Sequence, residues 1–367
     1  MEKRILILTA GFGEGHNSAA RGIREGLATV SEGAARVELH DIFAETFGFA
    51  NELARKAYLA AINRAPRTWG RFYNWLDRQE RFAPKMGWLF LARARLARLL
   101  LRFQPSAVVS VYPAYPYLID SILGGAPAPF RRVVCITDSL TVNAIWLHGP
   151  ADLFLVPNDL TAQVVVQSKK ILPEMVRAPG FPVSTRFAEL GELRQPPGAP
   201  DGYRILYMLN AGAVVAPELI RGLTKIPGVK LTVTVGRDQR LQTEIEKLRA
   251  TLGREFEILG WTDQLVRKML ESHILISKAG GATTQEAIAA KCPMIINQVV
   301  PGQEEGNARL IAETRSGVIA TDAAAIVRAV EHAFADDARL WREWSANITR
   351  LSRPRAALEI AESLLQL

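Results

Sequence analysis

Residues 274 to 286 read Ile-Leu-Ile-Ser-Lys-Ala-Gly-Gly-Ala-Thr-Thr-Gln-Glu: a short apolar strand, two glycines, and the start of a helix. Such a turn aims unpaired backbone N–H groups and the positive end of a helix dipole at the carboxyl edge of a sheet, which suits an anion. Gly280 and Gly281 would let a diphosphate approach the backbone beyond Ser277, and Thr283 or Thr284 reads as the helix cap. Glu286, about one turn further on, could accept hydrogen bonds from ribose hydroxyls. A tight capped turn without a ligand accounts for the same spacing. The next strand ends at Asn297, and the loop after it carries Gln303 and Glu304 to the same edge. An amide and a carboxylate there suit the vicinal hydroxyls of a hexose, or else a solvated polar loop.

A second glycine-rich stretch, Gly11-Phe12-Gly13-Glu14-Gly15-His16, follows the first strand. A dinucleotide fingerprint fits poorly, because its third glycine would fall on His16. A histidine at a helix N-terminus has its charged form disfavoured, so His16 is expected as a neutral imidazole able to orient or deprotonate a hydroxyl, unless it only caps the helix. Thr137-Asp138 ends another strand, with Trp146 eight residues beyond.

Together these stretches resemble the diacylglycerol glycosyltransferase family, which includes monogalactosyldiacylglycerol synthase and the processive glucosyltransferases. The resemblance is carried by SKAGGATTQEAIAA, PMIINQVVPGQEEGNA and the GFGEGH loop. It implies a GT-B fold in which Gly280, Gly281 and Thr283 hold a UDP diphosphate, Glu286 the ribose, and Gln303 with Glu304 the sugar. Gly260-Trp261 would lie at the uracil and Gly236-Arg237 would face the diphosphate. Gly13 and Gly15 would open the acceptor loop, with His16 and Asp138 as the catalytic pair and no metal or cofactor. This chain departs from the family at Asn143, where relatives carry a histidine, and at Tyr112-Pro113, where they carry His-Pro.

Elements able to position these residues are legible throughout the chain. Short apolar runs alternate with helical stretches, as in parallel α/β sheets. The expected architecture is two doubly wound, Rossmann-like domains facing a central cleft. Residues 1–187 form an acceptor and membrane-binding domain, 202–338 a UDP-sugar-binding domain, and 339–367 a C-terminal helix that crosses back. The stretch 191–202, rich in proline and glycine, reads as an exposed linker.

At 367 residues, 49% apolar and 22% charged, the chain suits two ordered domains, and its two cysteines suit a reducing compartment better than a disulfide. No window reads as a spanning helix. Net charge is +8, and residues 55–102 hold twelve Lys and Arg against Asp77 and Glu80. Tyr58, Trp69, Phe72, Tyr73, Trp75, Phe82, Trp88 and Phe90 are interleaved with those cations, the mixture expected at an anionic lipid surface. No nucleic-acid module accompanies them. The expected protein is cytoplasmic and peripherally bound to the inner face of a membrane, an inverting glycosyltransferase moving a hexose from a UDP-sugar to a lipid, foremost diacylglycerol. The rivals are a soluble sugar-nucleotide enzyme, such as a UDP-sugar epimerase, and a catalytically silent nucleotide- or lipid-binding relative.

Overall fold

The computed structural model describes residues 2–64, 89–147, 149–168, 171–198, 202–209, 215–302 and 304–367, and the side chains of all of these except 58–64. Gln303 and most of the aromatic residues of the basic stretch lie outside that set. The described residues form two six-stranded parallel sheets, each in its own compact unit.

In the first unit β1 (Lys3–Leu8), β2 (Ala35–His40), β3 (Ala107–Ser110), β4 (Arg131–Cys135), β5 (Leu153–Leu155) and β6 (Val176–Arg177) lie in the order β2-β1-β3-β4-β5-β6. Ile5, Leu6, Ile7 and Leu8 are all 0% exposed. That explains why β1 reads as an unbroken apolar run: a central parallel strand is covered on both faces. Chain order reverses between β1 and β3, and ligands of open α/β sheets bind at the carboxyl ends beside such a point. The helices are α1 (Glu14–Ser31), α2 (Ile42–Phe47), α3 (Phe49–Arg64), α4 (Leu89–Phe103), α5 (Ala114–Leu123) and α6 (Asp159–Gln167).

The second unit begins with α7 (Arg186–Leu190) and is built on β7 (Tyr203–Met208), β8 (Val229–Gly236), β9 (Glu257–Gly260), β10 (Ile274–Lys278), β11 (Met294–Gln298) and β12 (Gly317–Ile319). Their order is β12-β11-β10-β7-β8-β9, so its reversal falls between β7 and β10. The intervening helices are α8 (Ala216–Leu223), α9 (Gln239–Leu252), α10 (Leu265–Glu271), α11 (Gly281–Ala289) and α12 (Glu305–Glu313).

Two boundaries differ from the sequence expectation. The chain passes to the second unit at Thr185/Arg186, and residues 186–198 stay with that unit. Arg194, inside the supposed exposed linker, is buried, and its guanidinium donates to the carbonyls of Ser272, Lys291 and Ala290 at 2.6, 2.8 and 2.7 Å. Three charge-assisted bonds to carbonyls tie this stretch down. The return comes at Ser352/Arg353 rather than near residue 339. Helix α13 (Ala323–Leu351), interrupted at Ala335–Ala338, keeps Trp341 and Trp344 in the core of the second sheet and Ile348 buried, and Trp341 Nε1 donates to the His273 carbonyl at 2.7 Å. Only α14 (Ala356–Gln366) packs on α1. Gly26 permits that approach, since a Cβ there would fall on the Ala357 carbonyl; a Cβ on Gly22 would fall on the Pro182 carbonyl, so α1 also lies close to the segment after β6. The loop Val300–Gly306 also groups with the first unit.

Candidate active site

At the carboxyl ends of β1 and β3, the loop Gly11–Gly13 turns into α1. Gly13, the N-cap, has φ 156° and ψ 140°, a conformation open to glycine and costly for other residues, and it offers no side-chain cap. The loop is held instead by Asp41, whose Oδ2 accepts the Gly11 N–H at 2.8 Å while Oδ1 caps α2 at the Ala44 N–H. Tyr115, fully buried, donates to the Thr9 carbonyl at 2.6 Å and accepts the Ile42 N–H at 3.1 Å, fastening the end of β1 to the start of α2. Neither Asp41 nor Tyr115 is signalled as part of the site by the sequence. An acid before an apolar helix start signals only a cap; its second bond, thirty residues back, has no local signature.

His16 stands in the first turn of α1, Gly15 just before it. Its Nδ1 lies 3.1 Å from Thr137 Oγ1, its ring meets Tyr112 edge-on at 5.2 Å, and Trp146 lies 5.8 Å away, centroid to centroid. Burial lowers its pKa from 6.5 to about 4, against the opposing effect of a backbone hydrogen bond at Val111. The neutral imidazole is therefore the working form at pH 7. Asp138, one residue beyond Thr137, receives the Trp146 indole N–H on Oδ2 at 2.8 Å. Burial raises its pKa from 3.8 to about 6, and the indole bond pulls the other way. The structure thus brings His16 and Asp138 to the same tryptophan. Asn143 caps the short 3-10 turn Ala144–Trp146 by accepting the Ile145 N–H at 3.1 Å. It holds the Trp146 turn in shape and has no titratable group.

In the second unit β10 ends in Ser277, which is fully buried, and Lys278; the pairing with β11 slips between these two residues. The chain swings there into the Ala279–Gly280 turn. Ala279 N–H donates to the Gln298 carbonyl at 3.0 Å and Asn307 Nδ2 to the Ala279 carbonyl at 3.1 Å, so Asn307 shapes the turn, a role its place in the sequence did not reveal. The expectation of a threonine cap is corrected. Gly280 is the N-cap of α11 with no side-chain cap, Thr283 is the third helical residue, and Thr284 lies buried in the helix body. The first N–H groups of α11 therefore point from its end without a competing side chain, as anion binding needs. Glu286 sits on the partly exposed face of the same helix.

Gly236 and Gly260 pair across β8 and β9 at the same edge of this sheet. Gly236 takes φ 59°, and the chain beyond it sets Arg237 over the Trp261 ring at 5.0 Å, with Trp261 67% exposed. A guanidinium and an exposed indole at a sheet's carboxyl edge suit a phosphate and a flat heterocycle. Glu304 does not present a free carboxylate: it is 5% exposed and accepts the Val300 N–H at 3.1 Å, bracing its own loop.

Comparisons with known proteins bear on the family and the fold. The family model described as Monogalactosyldiacylglycerol (MGDG) synthase matches residues 16–183. The chain is 25% identical over 370 residues to the processive diacylglycerol beta-glucosyltransferase of Bacillus subtilis (strain 168), covering 99% of this chain and 95% of that protein. It is equally identical, over 374 residues, to that of Bacillus mycoides (strain KBAB4), covering 99% and 93%. The resemblance is to the diacylglycerol glycosyltransferases. Among solved structures, MurG of Acinetobacter baumannii superposes with a TM-score of 0.63 at 14% identity, over 100% of both chains. The S. aureus MnaA–UDP complex gives 0.60 at 13% over 99% and 95%, and Anabaena Alr3699/HepE with UDP 0.55 at 14% over 100% of both. The fold is GT-B. Among the described residues no helix is long and apolar enough to cross a membrane.

Proposed function

We propose that this GT-B protein transfers a hexose from a UDP-sugar to diacylglycerol with inversion at the anomeric carbon. The observation that carries the reading is its similarity, over 99% of its length, to a processive diacylglycerol beta-glucosyltransferase. The site geometry supplies a physical route. The second unit takes the donor, with the N-terminus of α11 at the diphosphate, Glu286 at the ribose, and Trp261 against the uracil. Glu304 acts as the brace of its own loop through the Val300 N–H. The first unit takes the acceptor hydroxyl. Asp138 is ionised at neutral pH with one oxygen left by Trp146, and its pKa near 6 makes it a better base than His16 near 4. Asp138 takes the hydroxyl proton as the oxygen attacks the anomeric carbon and UDP leaves. His16, held by Thr137, orients the hydroxyl. The helix dipole and Arg237 stabilise the leaving diphosphate, so the rate should be indifferent to EDTA.

Peripheral contact with an anionic membrane completes the proposal. Phe49, Leu53, Phe90 and Leu91 are exposed at the starts of α3 and α4, beside Arg55, Lys56, Arg93 and Arg95. Apolar side chains flanked by cations suit an interface with anionic lipid.

The test is product analysis by mass spectrometry after incubation with diacylglycerol vesicles and UDP-glucose, UDP-galactose or UDP-N-acetylglucosamine in turn. A hexosyl-diacylglycerol from one donor supports the reading and names the sugar. Donor consumed equally without lipid would point to the epimerase-like alternative. UDP binding without turnover of any donor would mark a silent relative.

A further inference from the structure

Tyr112 lies just beyond β3, at the carboxyl edge of the first sheet. Between ring centroids, it stacks on Phe12 at 6.1 Å, meets His16 edge-on at 5.2 Å, and stands against Phe43 at 5.9 Å and Tyr115 at 6.3 Å. These separations are favourable for aromatic pairs, so packing sets the place of the ring. The two tyrosines of this cluster differ in what their hydroxyls do. Tyr115 is committed twice, to the Thr9 carbonyl and the Ile42 N–H. The Tyr112 hydroxyl has no hydrogen-bond partner among the described residues, although the side chain is part-exposed and a ligand can reach it. A phenol drawn largely out of water without a partner costs free energy, and a ligand that supplies the missing acceptor recovers it. Burial and the Asp41 charge push its pKa up to about 12, so it is a neutral donor at every working pH. Asp41 itself is spent on the Gly11 and Ala44 N–H groups, and its charge disfavours an anion beside the phenol. The partner that fits is a neutral acceptor oxygen set among apolar rings.

We propose that the Tyr112 hydroxyl donates to an ester carbonyl of the acceptor lipid and so selects ester-linked over ether-linked glycerolipids. The inference rests on the diacylglycerol reading above and adds a specificity contact to it. In diacylglycerol an ester carbonyl lies only a few bonds from the hydroxyl that reacts, and Tyr112 packs on His16, which orients that hydroxyl. Phe12, part-exposed beside it, offers an apolar wall to the glycerol carbons. An ether-linked analogue has no carbonyl oxygen to offer, and a site built to hydrogen-bond a substrate group discriminates against the analogue lacking it. Tyr112 therefore senses the linkage, while Asp138 and His16 act on the hydroxyl.

The test compares initial rates of UDP release on dioleoylglycerol and on its dioleyl ether analogue in the same vesicles, with the three UDP-sugars supplied together. The wild type is set beside Tyr112→Phe, which keeps the ring, and Tyr117→Phe, which removes a phenol already bonded to the Ile145 carbonyl at 3.0 Å. The wild type should favour the diester in kcat/KM by about three- to ten-fold, the worth of one neutral hydrogen bond. Tyr112→Phe should lose that factor on the diester, change little on the diether and keep the thermal midpoint. Tyr117→Phe should retain the wild-type preference. Wild-type turnover without the preference, the same preference in Tyr112→Phe, equal losses on both lipids, or loss of the preference in Tyr117→Phe as well would overturn the contact and leave the diacylglycerol reading standing. No turnover of either lipid by the wild type would overturn both.

Discussion

His16 and Asp138 leave opposite marks on stability. Between about pH 4 and 6.5 the unfolded chain protonates His16 while the folded one does not, so its contribution raises stability as pH rises and is complete above 6.5. Asp138 runs the other way. From 3.8 to about 6 the folded state keeps a proton that the unfolded state has lost, so its contribution falls with rising pH and is gone above 6. In the wild type the two slopes largely cancel across that window. Denaturant titrations should uncover them separately, stability rising with pH in Asp138→Asn and falling in His16→Gln. At pH 7.5 Asp138→Asn should be more stable than wild type, on the order of 2 kcal/mol, since a desolvated charge has gone. It should also lose activity by roughly 10²–10⁴-fold, as expected for a general base. Trp146→Phe removes the indole bond that holds the Asp138 pKa down. The acid limb of the pH–rate profile should therefore move upward, and an unmoved limb would exclude Asp138 as the base.

At the scale of elements, the site depends on two uncapped helix starts, at Gly13 and Gly280, and on the packing that holds them. Gly26→Val places a branched side chain against the Ala357 backbone where α14 meets α1. Overpacking there should cost about 1–3 kcal/mol in thermal or denaturant unfolding. Much of this level was legible in the sequence. The central strands are continuous runs of Ile, Leu and Val because both faces are covered, and the glycine turns lie at carboxyl ends because each is preceded by such a run. What escaped reading is set by contacts distant along the chain. The cap of α11 is a glycine, invisible to a rule that seeks a hydroxyl, so the sequence points instead to the threonines beside it. Arg194 looked like part of a solvated linker until its three carbonyl acceptors, from segments about 80 to 100 residues away, were in place. Strands β6 and β12, of two and three residues, carry too little pattern to stand out. His16 was legible from its loop and Asp138 from its strand end, but the tryptophan joining them is a tertiary fact.

The charge of the whole molecule is concentrated where lipid contact is proposed, and residues 55–102 alone carry more positive charge than the net +8. Binding to anionic vesicles should weaken steeply as salt rises, while binding of UDP by the second unit, through the N-terminus of α11 and Arg237, should weaken less. The central claim is that a lipid hydroxyl, activated by Asp138, is the acceptor. UDP release should be measured with and without diacylglycerol in anionic vesicles, for the wild type and Asp138→Asn in parallel, across the three donors. The account predicts release that requires diacylglycerol, occurs with one donor, and falls at least a hundred-fold in the variant. Release of equal rate without the lipid, or undiminished in Asp138→Asn, would contradict it.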